Sequence, residues 1–130
     1  MFKAMLVEDN PVFREVYKNA LNRDFPSMEI IEAQNGAEAL RKLVFYTPGL
    51  IFIDIRLREE NGLGLIRRIK MIHPEIVIVV LTSYDYAEYR DAAIKMGADH
   101  YLIKTMTTPD EMTKLVKKIL SQKGYAPSGA

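Results

Sequence analysis

The chain has 130 residues, of which 48% are hydrophobic and 27% charged, and its 18 basic and 17 acidic side chains leave a formal net charge of +1. That length predicts one domain burying about two-thirds of its unfolded surface. The absence of cysteine excludes disulfides, thiolate metal sites and cysteine nucleophiles, and the near-neutral charge gives no basis for polyanion binding.

Lys3 to Val7 reads as a first strand that runs into Glu8-Asp9. Its apolar stretch is too short for a signal peptide or a membrane span, so a soluble cytoplasmic domain with no membrane partner is expected. Asn10-Pro11 looks like a helix cap followed by proline at the first helical position. Val12, Phe13, Val16, Tyr17, Ala20 and Leu21 then repeat at helical spacing to about Phe25, and Pro26-Ser27 break the helix. Met28 to Ala33 is a short second strand. Asn35-Gly36-Ala37-Glu38 opens a second helix whose apolar face is Ala39, Leu40, Leu43 and Val44.

Leu50-Ile51-Phe52-Ile53 is a continuous apolar run after Pro48-Gly49, predicting a strand buried on both faces that delivers Asp54 at its carboxyl end. Residues 55 to 61 read as a solvated loop. A third helix runs from about Gly62 to His73, with Leu65, Ile66, Ile69 and Ile72 inward, and Pro74 ends it. Ile76 to Leu81 is another doubly buried strand, followed by Thr82. A fourth helix is expected from Tyr84 to Met96, stopped by Gly97. His100 to Ile103 forms a fifth strand ending in Lys104. Thr108-Pro109-Asp110-Glu111 is a capping box, and Met112, Leu115, Val116, Ile119 and Leu120 continue as a helical stripe. Residues 1–122 make the domain and 123–130 a linker-like tail.

Strands alternating with helices predict an α/β fold with a doubly wound parallel sheet. In such a sheet ligands bind beyond the carboxyl ends of the strands. Glu8, Asp9, Asp54, Thr82 and Lys104 all fall at such ends. Carboxylates gathered within roughly 5 Å would repel by about 3 kcal/mol per pair at an effective dielectric of about 20. They call for a divalent cation, and hard oxygen ligands suit Mg²⁺. A carboxylate beside Mg²⁺ can act as a nucleophile toward phosphorus, with Lys104, Thr82 and loop N–H groups as donors to the phosphoryl oxygens.

The acidic pair Glu8-Asp9, then Asp54, Gly62, Thr82-Ser83, Gly97-Ala98-Asp99 and Tyr101-Leu102-Ile103-Lys104 stand in order at the spacing of the receiver domains of two-component response regulators. Over residues 3 to 122 the chain resembles that family. The resemblance implies a flavodoxin-like, five-stranded sheet of order 2-1-3-4-5 with five helices. It implies Asp54 as phosphoacceptor, Glu8, Asp9, Asp54 and the Arg56 backbone carbonyl as Mg²⁺ ligands, and Lys104 as the phosphate-binding lysine. Thr82 and Tyr101 would be the switch pair. Arg56 and Tyr84 would flank the approach of hydrolytic water and slow dephosphorylation. The implied partners are a sensor histidine kinase or phosphotransferase and a phosphorylation-dependent second copy. The run from Lys104 to Glu111 resembles receivers joined to LuxR-type helix-turn-helix domains, so DNA would be met only through an output domain absent from this chain.

Two positions depart from the pattern. Arg58 and Thr105 stand where receivers usually carry proline, and a non-proline cis bond after Lys104 would cost about 3 kcal/mol. Other readings are weaker. A flavin-binding module needs a phosphate-cradling loop where Glu8-Asp9 stand, and a haloacid-dehalogenase-type phosphatase expects a second Asp where Arg56 stands. A receiver-like interaction module that never takes phosphate would have no need of Asp54, Thr82 and Lys104 together.

Overall fold

The computed structural model describes residues 1–57 and 60–127. In chain order the elements are β1 (Lys3–Val7), α1 (Pro11–Asp24), β2 (Glu29–Ala33), α2 (Gly36–Leu43), β3 (Leu50–Ile53), β4 (Arg56–Leu57), β5 (Glu60–Asn61) and α3 (Gly62–Ile72). They continue with β6 (Val77–Thr82), α4 (Ala87–Met96), β7 (His100–Ile103), a 3₁₀ turn at Lys104–Met106 and α5 (Pro109–Gln122). β1, β2, β3, β6 and β7 form one parallel sheet in the order β2-β1-β3-β6-β7. Counting only its members, this is the expected 2-1-3-4-5 winding.

Alternation along the strands divides the core into two layers. Leu50 and Phe52 of β3 join Ala4, Leu6, Val79 and Leu81 against Leu21 of α1 and Met112, Val116, Ile119 and Leu120 of α5. Ile51 and Ile53 face the other way, with Met5, Val7, Ile78 and Val80, against Ala39 of α2, Leu65, Ile66 and Ile69 of α3 and Ala93 of α4. Both faces of β3 are therefore dry, which is why its sequence shows no polar alternation.

The helix starts follow from their caps. Asn10 Oδ1 accepts from Val12 N at 2.9 Å, with Pro11 at the first position. Asn35 and Asn61 cap α2 and α3 in the same manner, and Thr108 and Glu111 make the reciprocal capping box of α5. Gly97 closes α4 at φ 117°, a left-handed conformation that suits glycine. Asp99 just beyond accepts from Ile78 N at 2.8 Å and Lys70 Nζ at 2.9 Å, pinning that turn to β6 and α3.

Several expectations change. α4 begins at Ala87, not Tyr84, because the Tyr84 carbonyl, which a helix starting there would give to the N–H four residues on, instead accepts from the Tyr101 hydroxyl. The solvated loop contains an antiparallel pair, β4 with β5. Ile55 and Leu57 are buried on either side of exposed Arg56, an alternation too short to stand out in sequence. Val12, Phe13 and Val16 are exposed rather than inward, since the first turns of α1 lie past the strand ends. Val44 and Ile72 are also exposed, each at the end of its helix beyond the last residue that reaches the sheet. No peptide bond among the described residues is cis, so Lys104–Thr105 is trans. Arg58 and residues 128–130 of the tail lie outside the described residues.

Candidate functional site

Sheet register builds the site. Val7 pairs with Ile53, so the residues that follow, Glu8 and Asp54, leave the sheet side by side. Asp54 N donates to Val7 O at 3.1 Å, and Glu8 N to Ala33 O at 3.0 Å. Thr82 pairs with Ile103, which places Lys104 at the same edge. Glu8, Asp54 and Thr82 are the buried polar or charged residues among those described, at 2%, 6% and 0% exposure. All three stand at one edge of the sheet, and a buried charge is costly unless it is paired.

Lys104 supplies the pairing. Its Nζ lies 2.5 Å from Glu8 Oε1 and 2.8 Å from Asp54 Oδ2. Burial alone would lower the lysine pKa, but the hydrogen bonds from its ammonium to Asp54 and Glu8 outweigh it and raise it. Burial raises the Glu8 pKa, with Lys104 opposing. The other Asp54 oxygen, Oδ1, accepts the Arg56 N–H at 2.8 Å. Gly62 gives this loop its room: a Cβ there would stand 2.5 Å from Ile55 Cα and 3.0 Å from the Asp54 carbonyl oxygen.

Glu8, Asp9, Asp54, Arg56, Tyr84 and Lys104 line one open cleft of about 580 Å³, with Phe13 and Ser83 also on its wall. Among the described residues no three His, Cys, Asp or Glu side chains stand close enough together to hold a metal ion by themselves. The donor set nonetheless fits a hard divalent cation. Three carboxylates against the Lys104 ammonium and the Arg56 guanidinium leave a formal charge of −1 in the cleft. An ion with open water positions, such as Mg²⁺, needs only one or two carboxylates. A second cleft of about 480 Å³ lies at the opposite edge, around Phe2, Gly49 and Tyr125, away from these buried charges.

Thr82 and Tyr101 meet at Tyr84. Thr82 Oγ1 accepts from Tyr84 N at 3.4 Å, and the Tyr101 hydroxyl donates to Tyr84 O at 2.8 Å. Tyr101 is half-buried and outside the cleft; burial raises its pKa, and the Arg90 guanidinium lies 5.5 Å from its ring centroid. The Arg56 guanidinium lies 5.2 Å from the Tyr84 ring centroid. The sequence-predicted residues thus form a cleft group and a hydrogen-bonded group of Thr82, Tyr84 and Tyr101, with Tyr84 common to both.

Three contributors were hidden in the sequence. The Lys104 ammonium lies 4.3 Å from the Phe13 ring centroid, a cation–π contact from a residue that helical spacing assigns to the core. Arg14 donates to the Glu8 carbonyl at 2.8 Å, and Asn10 N to Glu8 Oε2 at 3.1 Å. Their signal is position: all three lie in the cap and first turn of a helix that starts beside a strand end carrying Glu8-Asp9. His73 and His100 take no part in the cleft.

Comparison with known proteins agrees with this geometry. The response regulator receiver domain model matches residues 4–119. The transcriptional regulatory protein HptR of Staphylococcus aureus is 31% identical over 126 residues, covering 94% of this chain and 49% of that protein. A response regulator structure from Thermotoga maritima is 32% identical with a TM-score of 0.81, covering 93% of this chain and 98% of that one. A LuxR-family response regulator structure from Aurantimonas sp. SI85-9A1 is 27% identical with a TM-score of 0.83, covering 92% and 85%. The chain spans 28%, 49% and 51% of the length of three further curated relatives. With the family model matching nearly end to end over a sheet edge that gathers Glu8, Asp54, Thr82 and Lys104, the chain belongs to the response regulator receiver domains, whose general function is a phosphorylation-dependent signalling switch.

Proposed function

We propose that Asp54 accepts a phosphoryl group from a sensor histidine kinase or phosphotransferase and that Tyr101 reports its presence at the surface. The observation that carries this reading is the Asp54 carboxylate, buried at the edge of the sheet yet facing a cleft, with one oxygen on the Arg56 N–H and the other on the Lys104 ammonium. A carboxylate oxygen attacks phosphorus, the bond from phosphorus to the donor breaks, and an acyl phosphate forms. Glu8, Asp9, Asp54 and the Arg56 carbonyl would hold Mg²⁺. When bound, that ion neutralises the charge that gathers between carboxylate and phosphate. Lys104 keeps its ammonium in place for a phosphoryl oxygen. Thr82 turns its hydroxyl from Tyr84 N toward the phosphoryl group, which shifts the backbone that holds the Tyr101 hydroxyl.

Arg56 and Tyr84, both large and beside the acceptor, shield the acyl phosphate from water. Residues 1–122 would act as the switch and 123–130 as the link to an output domain that regulates transcription and supplies the contact with DNA. No helix among the described residues is long and apolar enough to cross a membrane, in keeping with a cytoplasmic setting. Intact mass after treatment with acetyl phosphate tests the reading. One phosphate is expected, lost in excess EDTA and absent in Asp54→Asn, and sedimentation of the same samples is expected to show self-association only when phosphate is present. Full labelling of Asp54→Asn refutes the assignment.

A further inference from the structure

Arg56, Leu57 and Tyr84 belong to two clefts at once. They line the one that holds Asp54, and also a second of about 350 Å³ whose other walls include Ile55, Asn61 and Tyr89. They are therefore a partition with open space on both sides. Leu57 is buried, Arg56 is exposed, and Tyr84 is half-buried with only part of its side chain packed against the core. The Tyr84 backbone is held by Thr82 and Tyr101, and the rest of its ring meets aromatic neighbours.

What holds the ring comes from α4. The half-buried Tyr89 ring stacks on that of Tyr84 with centroids 4.8 Å apart and planes at 26°. Tyr86 meets Tyr84 edge-on at 6.2 Å and is 57% exposed, a weaker support. Tyr84 in turn carries the Arg56 guanidinium 5.2 Å from its ring centroid. The chain of contact runs Tyr89, Tyr84, Arg56, and its far end lies beside Asp54.

We infer that Tyr89 is a positioning residue for phosphate retention: its ring holds Tyr84, and through it Arg56, as the wall that keeps water from the phosphoryl group on Asp54. The inference rests on the reading of Asp54 as phosphoacceptor and of Arg56 and Tyr84 as its shield. In hydrolysis a water oxygen attacks phosphorus, one of its protons passing to solvent and the other staying on the phosphate. The bond from phosphorus to the Asp54 carboxylate oxygen breaks, leaving carboxylate and inorganic phosphate. A guanidinium has no acceptor atom and a phenol hydroxyl is a weak one, so the wall acts by exclusion. Tyr89 touches neither phosphate nor water in this scheme.

The test is the decay of the phosphorylated protein, loaded with acetyl phosphate and Mg²⁺, freed of donor and followed by intact mass. Tyr84→Ala and Tyr89→Ala are each expected to decay about three- to tenfold faster than wild type, the scale set by losing one aromatic contact. The double variant is expected to decay no faster than Tyr84→Ala, and Tyr89→Phe, which keeps the ring, at the wild-type rate. In the Tyr89 variants the Mg²⁺ dependence of loading is expected to stay as in wild type. Should Tyr89→Ala fail to fold, Tyr89→Leu keeps apolar bulk without a stacking face and is expected to decay faster in the same way. Fast Tyr84→Ala with wild-type decay in Tyr89→Ala or Tyr89→Leu overturns the positioning role and leaves the shield standing. Multiplied effects in the double variant overturn it too, since Tyr89 would then act apart from Tyr84. Wild-type decay in Tyr84→Ala overturns the shield itself.

Discussion

Lys104 bonds the two buried carboxylates of the cleft at once, and its side chain is 7% exposed against 3% for Glu8 and 6% for Asp54. A pair buried this deeply is strongly destabilised when one member is removed, by about 3–5 kcal/mol, because the other charges are left without a partner. Lys104→Met is therefore expected to lose stability on that scale in urea unfolding. It also takes the formal charge of the cleft from −1 to −2, so added Mg²⁺ is expected to restore more stability to the variant than it adds to wild type. A variant as stable as wild type, or one with the same Mg²⁺ response, contradicts the charge accounting. Phe13 acts beside it, covering the ammonium with an aromatic face instead of water.

At the scale of elements, α1 and α5 are tied at one point. The Thr113 hydroxyl donates to Asp24 Oδ2 at 2.6 Å, and Arg23 donates to both Asp24 oxygens at 3.0 and 3.2 Å. The Arg23 hydrogen bonds, then that of Thr113, hold the Asp24 carboxyl down to about 2, with Lys117 adding to the effect and Asp110 facing Arg23. A depressed carboxyl stabilises the fold fully above its ordinary value of 3.8, and that contribution is lost as pH falls through about 2. Asp24→Asn is expected to flatten the fall in stability across that window, and Thr113→Val to flatten it in part. An unchanged acid slope in Asp24→Asn contradicts the tie.

Most elements were legible because their signals are local. The doubly buried β3 and β6 show as unbroken apolar runs, and α5 carries its capping box in four consecutive residues. The start of α4 was not legible, since it depends on Tyr101, distant in sequence, taking up the Tyr84 carbonyl. Nor was the β4–β5 hairpin, whose strands are two residues each. At the site, polar residues ending apolar strands pointed to Glu8, Asp54, Thr82 and Lys104, because burying such groups needs a reason. Phe13 and Tyr89 gave no such signal, as an aromatic residue in a helix reads as core whatever it faces.

For the whole molecule, the sheet is packed on both faces and its carboxyl edge opens onto the cleft. Ile53 pairs with Val80, Val80 with Tyr101 and Thr82 with Ile103, so Asp54, Thr82 and Tyr101 are fixed to adjoining strands. What can change is the set of bonds that meets at Tyr84. In the proposed switch, a local charge on Asp54 would draw away the Thr82 hydroxyl and bias those bonds, and the effect would reach the α4–β7–α5 surface. The amide NMR spectrum under titration with beryllofluoride and Mg²⁺, recorded for wild type and Thr82→Ala, tests this most directly. In wild type, resonances of residues 54–57, 82–84 and 101–104 are expected to shift together and saturate at one ligand concentration. In Thr82→Ala those near Asp54 are expected to shift while those of Tyr101 and its neighbours stay in place. Identical shifts around Tyr101 in both proteins would contradict the relay from Asp54 through Thr82.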